Sequence, residues 1–443
     1  MAETESALGP PLGAELELTV DRLVAGGNGL SFVDGVAVFV SDAAAGDRAR
    51  VRIVERKSDY ARAELLELLT PGAGRRTPPC AVANRCGGCS LQHLEYDTQV
   101  EAKRAILAES FKRVGGIELP TEIPLHRSPE WGFRLRAELK VARAEGKPQL
   151  GYYARRSHEL VRIPGCPILG PGFAKFFTPF VKLLNERGFL FYGLEGVVYL
   201  EGDEGAVILL EFRKEPEKPG PLFEALRWLS MEAGLIGAAA KGPEGVRLNW
   251  GKLAVTMKLD ERSFLMEPGA FVQTNRTLAP ELWRHVRDIA RTRKERRALD
   301  LYGGAGFFAL ALADHFHESV TVEANVRAAK LGRENLARNH VTSVRAVAAP
   351  VASFLEREGE RLRESFVVVD PPRHGLEPDV RKLLAAKPPA ALLYVSCDAV
   401  TLARDLKSLA AGGLALHSVA MFDLFPHTAH FETVVLLERA ERA

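Results

Sequence analysis

Leu299-Asp300-Leu301-Tyr302-Gly303-Gly304-Ala305-Gly306 decides how the last third of this chain folds. A short apolar strand runs into a glycine-rich turn and a helix follows, so the backbone is bare enough for a ligand to approach it closely. About twenty residues on, Glu323 closes the next strand, the place where an acid grips ribose hydroxyls. The full G-x-G-x-x-G pattern is absent, since Phe307 and Phe308 lead into Ala309. The loop alone fits a nicotinamide dinucleotide, S-adenosylmethionine, or tight packing with no ligand.

Outward from this loop, the apolar runs Ala298 to Leu301, Val320 to Val322, Phe366 to Val369 and Ala391 to Val395 alternate with helical stretches. Nearly continuous apolar strands with helices between them predict a parallel sheet covered on both faces, a Rossmann-like α/β domain. Ser418 to Met421 and Phe431 to Leu437 read as two more strands, an antiparallel hairpin at the sheet edge. Ligands of open α/β sheets bind at the carboxyl edge of the strands, and three further features open there. Asp370-Pro371-Pro372-Arg373 is a stiff loop whose arginine suits a phosphate or a base carbonyl, or else a rigid turn with a capping aspartate. Cys397 lies between a strand and the helical stretch Thr401 to Ala410. A helix N-terminus and a cationic ligand would both stabilise its thiolate, whereas a lone cysteine at a strand end is commonly a small buried hydrophobe. The loop Asp423 to Glu432 ends in a carboxylate able to take a proton near the thiol, or in an exposed strand glutamate.

The chain has 443 residues, 47% hydrophobic and 26% charged, so two or three domains with real cores are expected and wholesale disorder is excluded. Its net charge of +2 leaves any nucleic-acid site to a local basic patch. No stretch approaches the ~18 apolar residues of a membrane helix, and MAETESALGPPLGAE at the start lacks the features of a secretory leader. A soluble, cytoplasmic protein is the expectation. Five cysteines in such a chain argue against a disulfide framework and for metal binding or catalysis. Cys80, Cys86, Cys89 and Cys166 form one set, which on residue chemistry alone suits zinc or an iron–sulfur cluster equally; Cys397 stands apart.

Residues 1–13 read as a flexible tail. Over 14–71, strict alternation such as Leu16, Leu18 and Val20 against Glu15, Glu17 and Thr19, with glycine turns between segments, predicts a small OB-like β-barrel. Arg48, Arg50, Arg52, Arg56, Lys57 and Arg62 would track a phosphate backbone on one face, or simply keep an edge strand solvated. A Pro/Gly/Arg linker, Pro71 to Pro79, leads into the cysteines. Residues 98–114 have helical spacing, with Val100, Ala105, Ile106 and Phe111 on one side and Lys103, Arg104, Lys112 and Arg113 on the other. From Phe133 to Val255 a mostly-β domain is expected.

Six segments, FVQTN (271–275), LDLYGGAG (299–306), VEAN (322–325), DPPRHGL (370–376), VSCDAVTLARDL (395–406) and DLFPHTAHFE (423–432), resemble in order and spacing the TRAM-containing RNA uracil-5-methyltransferase family. The resemblance covers nearly the whole chain. It implies a multidomain protein: a TRAM barrel over 14–71, a central mostly-β domain over 72–92 and 122–265, and a methyltransferase domain over 93–121 and 266–443. It also implies Cys397 as nucleophile, Glu432 as base, and Gln273, Tyr302, Gly304, Gly306, Glu323 and Asp370 as S-adenosylmethionine contacts. The spacing C-x5-C-x2-C plus Cys166 resembles the rRNA-modifying branch of the family, which implies a [4Fe-4S] cluster on Cys80, Cys86, Cys89 and Cys166 in a structural or RNA-positioning role, with zinc as the alternative. RNA is the implied partner, 23S rRNA ahead of the tRNA T-loop, with no membrane and a monomeric chain. Three positions depart from the family pattern: Gly303 replaces a usual cysteine, Phe307 a cofactor-contacting asparagine, and Ala399 a proline. Around Ala348-Ala349-Pro350 a polar contact is missing. The rival readings are an amino-group methyltransferase using the Asp-Pro-Pro loop directly and an RNA-binding protein with an inactive methyltransferase domain.

Overall fold

A computed structural model describes residues 9–144 and 147–440; the expected tail falls outside them over residues 1–8. Its remainder is not loose. Gly13 N–H donates to Ile53 O at 2.9 Å, and Gly9 lies so close to Val36 that a Cβ there would meet it at 2.6 Å.

Strands β1 (Glu15–Thr19), β2 (Arg22–Leu23), β3 (Gly29–Val33), β4 (Val36–Val40), β5 (Arg48–Arg56) and β6 (Tyr60–Thr70) form a sheet of order β1-β5-β6-β4-β3-β2. Only Val20 and Asp21 separate β1 from β2, so this one bent segment pairs with β5 at one end and β3 at the other and closes the barrel. Along β5, Ala49, Val51 and Ile53 point inward and Arg48, Arg50 and Arg52 outward. Those arginines do not form a bare cationic track. Arg48 pairs with Glu17 (3.0 Å), Arg50 with Glu67 (2.7 Å) and Arg52 with Glu15 (2.8 Å), all across neighbouring strands.

Helix α1 (Tyr96–Ser110), continued by a π turn to Gly115, packs against the C-terminal domain. The expected solvent side of this helix needs correction at Lys103, whose side chain is 0% exposed. Strand β7 (Leu125–His126) pairs with the C-terminal sheet, which moves the expected domain boundary at 122 further along the chain.

The central sheet has the order β10-β9-β8-β11-β12-β13-β14, built from β8 (Arg136–Ala144), β9 (Lys147–Tyr153), β10 (Leu160–Arg162), β11 (Leu194–Gly202), β12 (Gly205–Phe212), β13 (Leu235–Gly242) and β14 (Gly245–Gly251). Helices α2 (Pro171–Glu186) and α3 (Pro219–Ala233) bury Phe173, Phe176, Phe180 and Leu229 in its core with Tyr199. The hairpin of β15 (Val255–Leu259) and β16 (Arg262–Met266) shares a core with the C-terminal domain through Met257 and Phe264, which lie among Trp283, Phe307 and Phe366.

The C-terminal domain begins at α4 (Leu278–Arg291). It continues through β17 (Arg297–Leu301), α5 (Phe307–Leu312), β18 (Glu318–Glu323), α6 (Val326–Arg338), β19 (Val344–Ala348), α7 (Val351–Glu358), β20 (Ser365–Val369), α8 (Pro378–Ala386), β21 (Ala391–Ser396), α9 (Ala399–Ala411), β22 (Leu414–Phe422) and β23 (Glu432–Arg439). The sheet order is β19-β18-β17-β20-β21-β23-β22-β7. Strands β17 to β21 are parallel; β17, β18, β20 and β21 are almost entirely buried, as their continuous apolar runs require, and β19 at the edge is partly exposed. The terminal hairpin is not at the edge. β23 inserts antiparallel between β21 and β22, and β7 covers the far side of β22.

Candidate active site

Because β23 runs against its neighbours, its first residue lies at the same edge as the carboxyl ends of the parallel strands. Its last rung with β21 pairs Ser396 with Thr433. One step further along each strand come Cys397 and Glu432, both in one cavity and near enough for the carboxylate to act on the thiol. Moving along the sheet order, that edge carries Pro350 beyond β19, Glu323 on β18, Tyr302 after β17, Asp370 after β20, Cys397 after β21 and Glu432 on β23. All six line one cavity of about 1370 Å³, together with Gln273, Gly304, Arg373 and Phe425.

Each end of this row has its own electrostatics. Glu323 accepts from Gly304 N–H (3.0 Å) and Asn325 N–H (2.7 Å), so its carboxylate ties the glycine loop to the start of α6 and keeps lone pairs free for hydroxyls. Gly306 has φ +85°, a conformation open to glycine at this close approach of loop and α6. Tyr302 also has φ above zero, at +63°, and its hydroxyl donates to Glu377. At the other end, Glu432 is 4% exposed, its Oε2 has no partner among the described residues, and its pKa is raised well above the ordinary value by burial and by Asp370, against Arg373. It is no exposed strand glutamate. Burial, Glu432 and Asp370 push the Cys397 thiol up to about 12, and Arg373 pulls it down. The helix N-terminus expected to stabilise the thiolate is occupied by Asp398, whose side chain accepts from Val400 and Thr401 N–H at 3.1 and 2.8 Å. Arg373 is therefore the cation that acts on both Cys397 and Glu432.

The four early cysteines open onto the same cavity. Cys86 bridges to Ala154, and Cys89 packs with Phe133, Ile168, Trp131 and Cys166. Burial, with the neighbouring thiols, pushes Cys89 up to about 11 and Cys166 up to about 12. Among the described residues, no three His, Cys, Asp or Glu side chains are grouped closely enough to hold one metal ion.

A family model described as tRNA (uracil-5-)-methyltransferase matches residues 95–440, and a TRAM domain model matches residues 12–66. The chain belongs to the tRNA (uracil-5-)-methyltransferase family. Among its relatives, the 23S rRNA (uracil(1939)-C(5))-methyltransferase RlmD of Chromohalobacter salexigens is 35% identical over 95% of this chain and 89% of its own length. The protein of the same name from Thiobacillus denitrificans is 32% identical over 93% and 97%. A solved structure, the Pyrococcus abyssi tRNA (uracil-54, C5)-methyltransferase in complex with S-adenosyl-L-homocysteine, superposes with TM-score 0.75 at 26% identity, covering 95% of this chain and 100% of that one. These matches support the fold expected from sequence: a TRAM domain followed by a methyltransferase fold.

The departures from the family pattern have local causes. A Cβ on Gly303 would lie 2.0 Å from Thr321 Oγ1 and 2.6 Å from Asp300 Oδ2, so no side chain fits without a shift. Phe307 turns into the core, edge-on to Phe264 with centroids 5.3 Å apart, and makes no wall of the cavity. Ala399 opens α9 where a proline would fit, and the Asp398 cap starts the helix without one. At Pro350 the wall is apolar, continued by Val351 and Ala352.

Sequence reasoning left four residues of this site without a role. Asn275 donates from Nδ2 to Ser128 Oγ (2.8 Å) and Leu424 O (2.9 Å), while its Oδ1 accepts from Thr277 and Leu278 N–H. His427, at φ +66°, stacks on Trp131 and takes Ser90 and Leu91 N–H on its carbonyl. Gln99 and Lys103 reach the same loop from α1. Their spacing with Ile106 and Ser110 places them on the helix face that is buried, a signal present in the sequence but masked by their polarity.

Proposed function

We propose that this protein transfers a methyl group from S-adenosylmethionine to carbon 5 of a uridine in RNA, with 23S rRNA as the substrate. The observation that carries the reading is the juxtaposition of Cys397 and Glu432 one step past the last β21–β23 rung, in the cavity that also holds Glu323, Tyr302 and Asp370. Uracil C5 is too weak a nucleophile to react unaided, and addition of the Cys397 thiolate to C6 moves electron density onto C5. When bound, S-adenosylmethionine supplies a methyl group on a sulfonium. Glu323, Gly304, Gly306, Tyr302, Gln273 and Asp370 are the residues that would hold it, and Glu323 with its free lone pairs and the bare glycine backbone fit a ribose and its neighbours. Arg373 holds negative charge at Cys397 and Glu432 in check. Glu432 then removes the C5 proton, and Sγ leaves from C6. The base has to leave its stack to enter the cavity, as in a loop or a flipped nucleotide.

Cys80, Cys86, Cys89 and Cys166 are proposed to hold a [4Fe-4S] cluster. All four thiols open onto one cavity, and soft thiolate ligands suit an iron–sulfur group. The cluster would supply a rigid anchor for the loops that wall the cavity, with Arg134 and Arg155 offsetting its charge. Iron and acid-labile sulfide assays on anaerobically purified protein test this, and stoichiometric zinc would overturn it.

Incubation with RNA containing 5-fluorouridine tests the covalent route. A denaturation-resistant protein–RNA adduct is expected, lost in Cys397→Ala; no adduct on competent RNA refutes the mechanism. The likeness to the Pyrococcus abyssi enzyme, named for tRNA uracil-54, favours tRNA as the second reading. Mass-spectrometric mapping of 5-methyluridine in rRNA and tRNA, with and without the gene, separates the two.

A further inference from the structure

The loop Asp423 to His430, which leads into Glu432, presents Phe425, Thr428 and His430 to the cavity and is held from behind by α1. Gln99 and Lys103 stand one helical turn apart and face it together. The Gln99 amide oxygen accepts from His427 N–H at 2.8 Å. Lys103 Nζ donates to Asp423 Oδ1 at 2.5 Å and to the Phe425 carbonyl at 3.1 Å. Both side chains of the ion pair are 0% exposed. A buried ion pair is weak evidence for stability, because apolar residues of the same volume often serve as well or better. What an apolar pair cannot do is fix two points of a loop at once, a side chain at 423 and a main-chain carbonyl at 425. Cys397 is held differently, by the Asp398 cap at the β21–α9 junction.

We infer that Lys103 is a positioning residue for the proton-removal half of the reaction. The inference rests on the covalent route proposed above. Once Sγ is bonded to C6, the ring is tethered at one atom and can still turn about that bond. The loop fixed by Lys103 limits the turn and presents the C5–H to Glu432. In the step it serves, Glu432 takes the C5 proton, the C5–H electron pair becomes the C5=C6 bond, and the C6–Sγ pair departs with sulfur as the thiolate. A methylated ring turned away from Glu432 stays attached to Cys397.

The experiment uses the full chain, S-adenosylmethionine and a transcript with ordinary uridine, and compares the unaltered protein with Lys103→Met and with Lys103→Met/Asp423→Asn. The double variant leaves no unpaired buried charge, so its melting temperature recovers relative to the single variant. Release from the covalent adduct is expected to slow on the order of 10- to 100-fold, the scale of a 1 Å misplacement. A denaturation-resistant adduct then accumulates on ordinary RNA in both variants and not in the unaltered protein. If the single variant fails to fold, the double variant carries the test. Full turnover in the double variant, or slow turnover without adduct, overturns the inference and leaves Lys103 a structural residue. No adduct between the unaltered protein and 5-fluorouridine RNA instead overturns the covalent reading itself.

Discussion

Replacing Asp300 by asparagine should stabilise the protein increasingly as pH rises from 5 to about 7, and by a constant amount above that. Asp300 is 1% exposed; its Oδ2 accepts from the Thr321 hydroxyl at 2.9 Å, and its Oδ1 has no partner among the described residues. Burial pushes its pKa from 3.8 up to about 7, with Glu323 adding to the rise and Thr321 and the Ala309 N–H opposing it. Asp370, just past the end of the neighbouring strand β20, rises to about 7 as well, through burial and the charge of Asp300. A carboxyl whose pKa is higher folded than unfolded takes up a proton on folding. The stability it contributes is complete below its unfolded pKa and is lost as pH rises through its folded one. At about 1.4 kcal/mol per pH unit for one proton, the loss between pH 5 and the folded pKa near 7 reaches roughly 3 kcal/mol. Asparagine cannot ionise and escapes it. Urea unfolding at pH 5, 6, 7 and 8 should show the free-energy difference between variant and unaltered protein moving by that amount in favour of the variant. A difference that stays flat across the series would refute the argument that this carboxyl is protonated in the fold.

Three further predictions concern other parts of the molecule. Gly303→Cys, which restores the residue usual in the family, should cost about 1–3 kcal/mol by overpacking and weaken S-adenosylmethionine binding measured by calorimetry, because its Cβ would meet Thr321 at 2.0 Å; unchanged affinity would count against the close packing. Arg75→Gln should cost about 3–5 kcal/mol in a thermal melt, since it strips the partner from Asp47, whose side chain is 0% exposed. Burial works to raise Asp47, but Arg75 and the N–H groups of Gly72 and Ala44 outweigh it and lower its pKa, so the stability at stake is present above the ordinary 3.8 and fades as pH falls below it. Arg50→Ala should leave RNA affinity nearly unchanged, because Arg50 already faces Glu67 and Glu17; a fall of about one in the salt slope of binding would show instead a direct phosphate contact.

Much of the fold was legible because its signals are local. Continuous apolar runs separated by helical stretches announce a buried parallel sheet, and strict alternation announces the barrel, without knowledge of any distant partner. Glu323, Asp370 and Cys397 were picked out by their position at the ends of strands, a property of the chain alone, whereas Gln273 and Tyr302 came only from the resemblance to the family. The arginine face of the barrel stayed open between two readings, and Lys103 on α1 was misread, for the opposite reason. Whether Arg50 meets a phosphate or Glu67 depends on the strand beside it, and whether Lys103 meets water or Asp423 depends on a loop 320 residues away. Charge seen in sequence carries no record of its partner.

The cysteine and the glutamate themselves were determined by the sequence: a thiol after a buried strand and a carboxylate at the start of another. Only the tertiary structure decided that they meet at one edge of the sheet, in one cavity. That outcome follows from β23 inserting antiparallel between β21 and β22 in place of lying at the edge, with Ser396 opposite Thr433. Strand order and register are set by how whole strands bury their apolar faces against one another, a choice that no short segment contains.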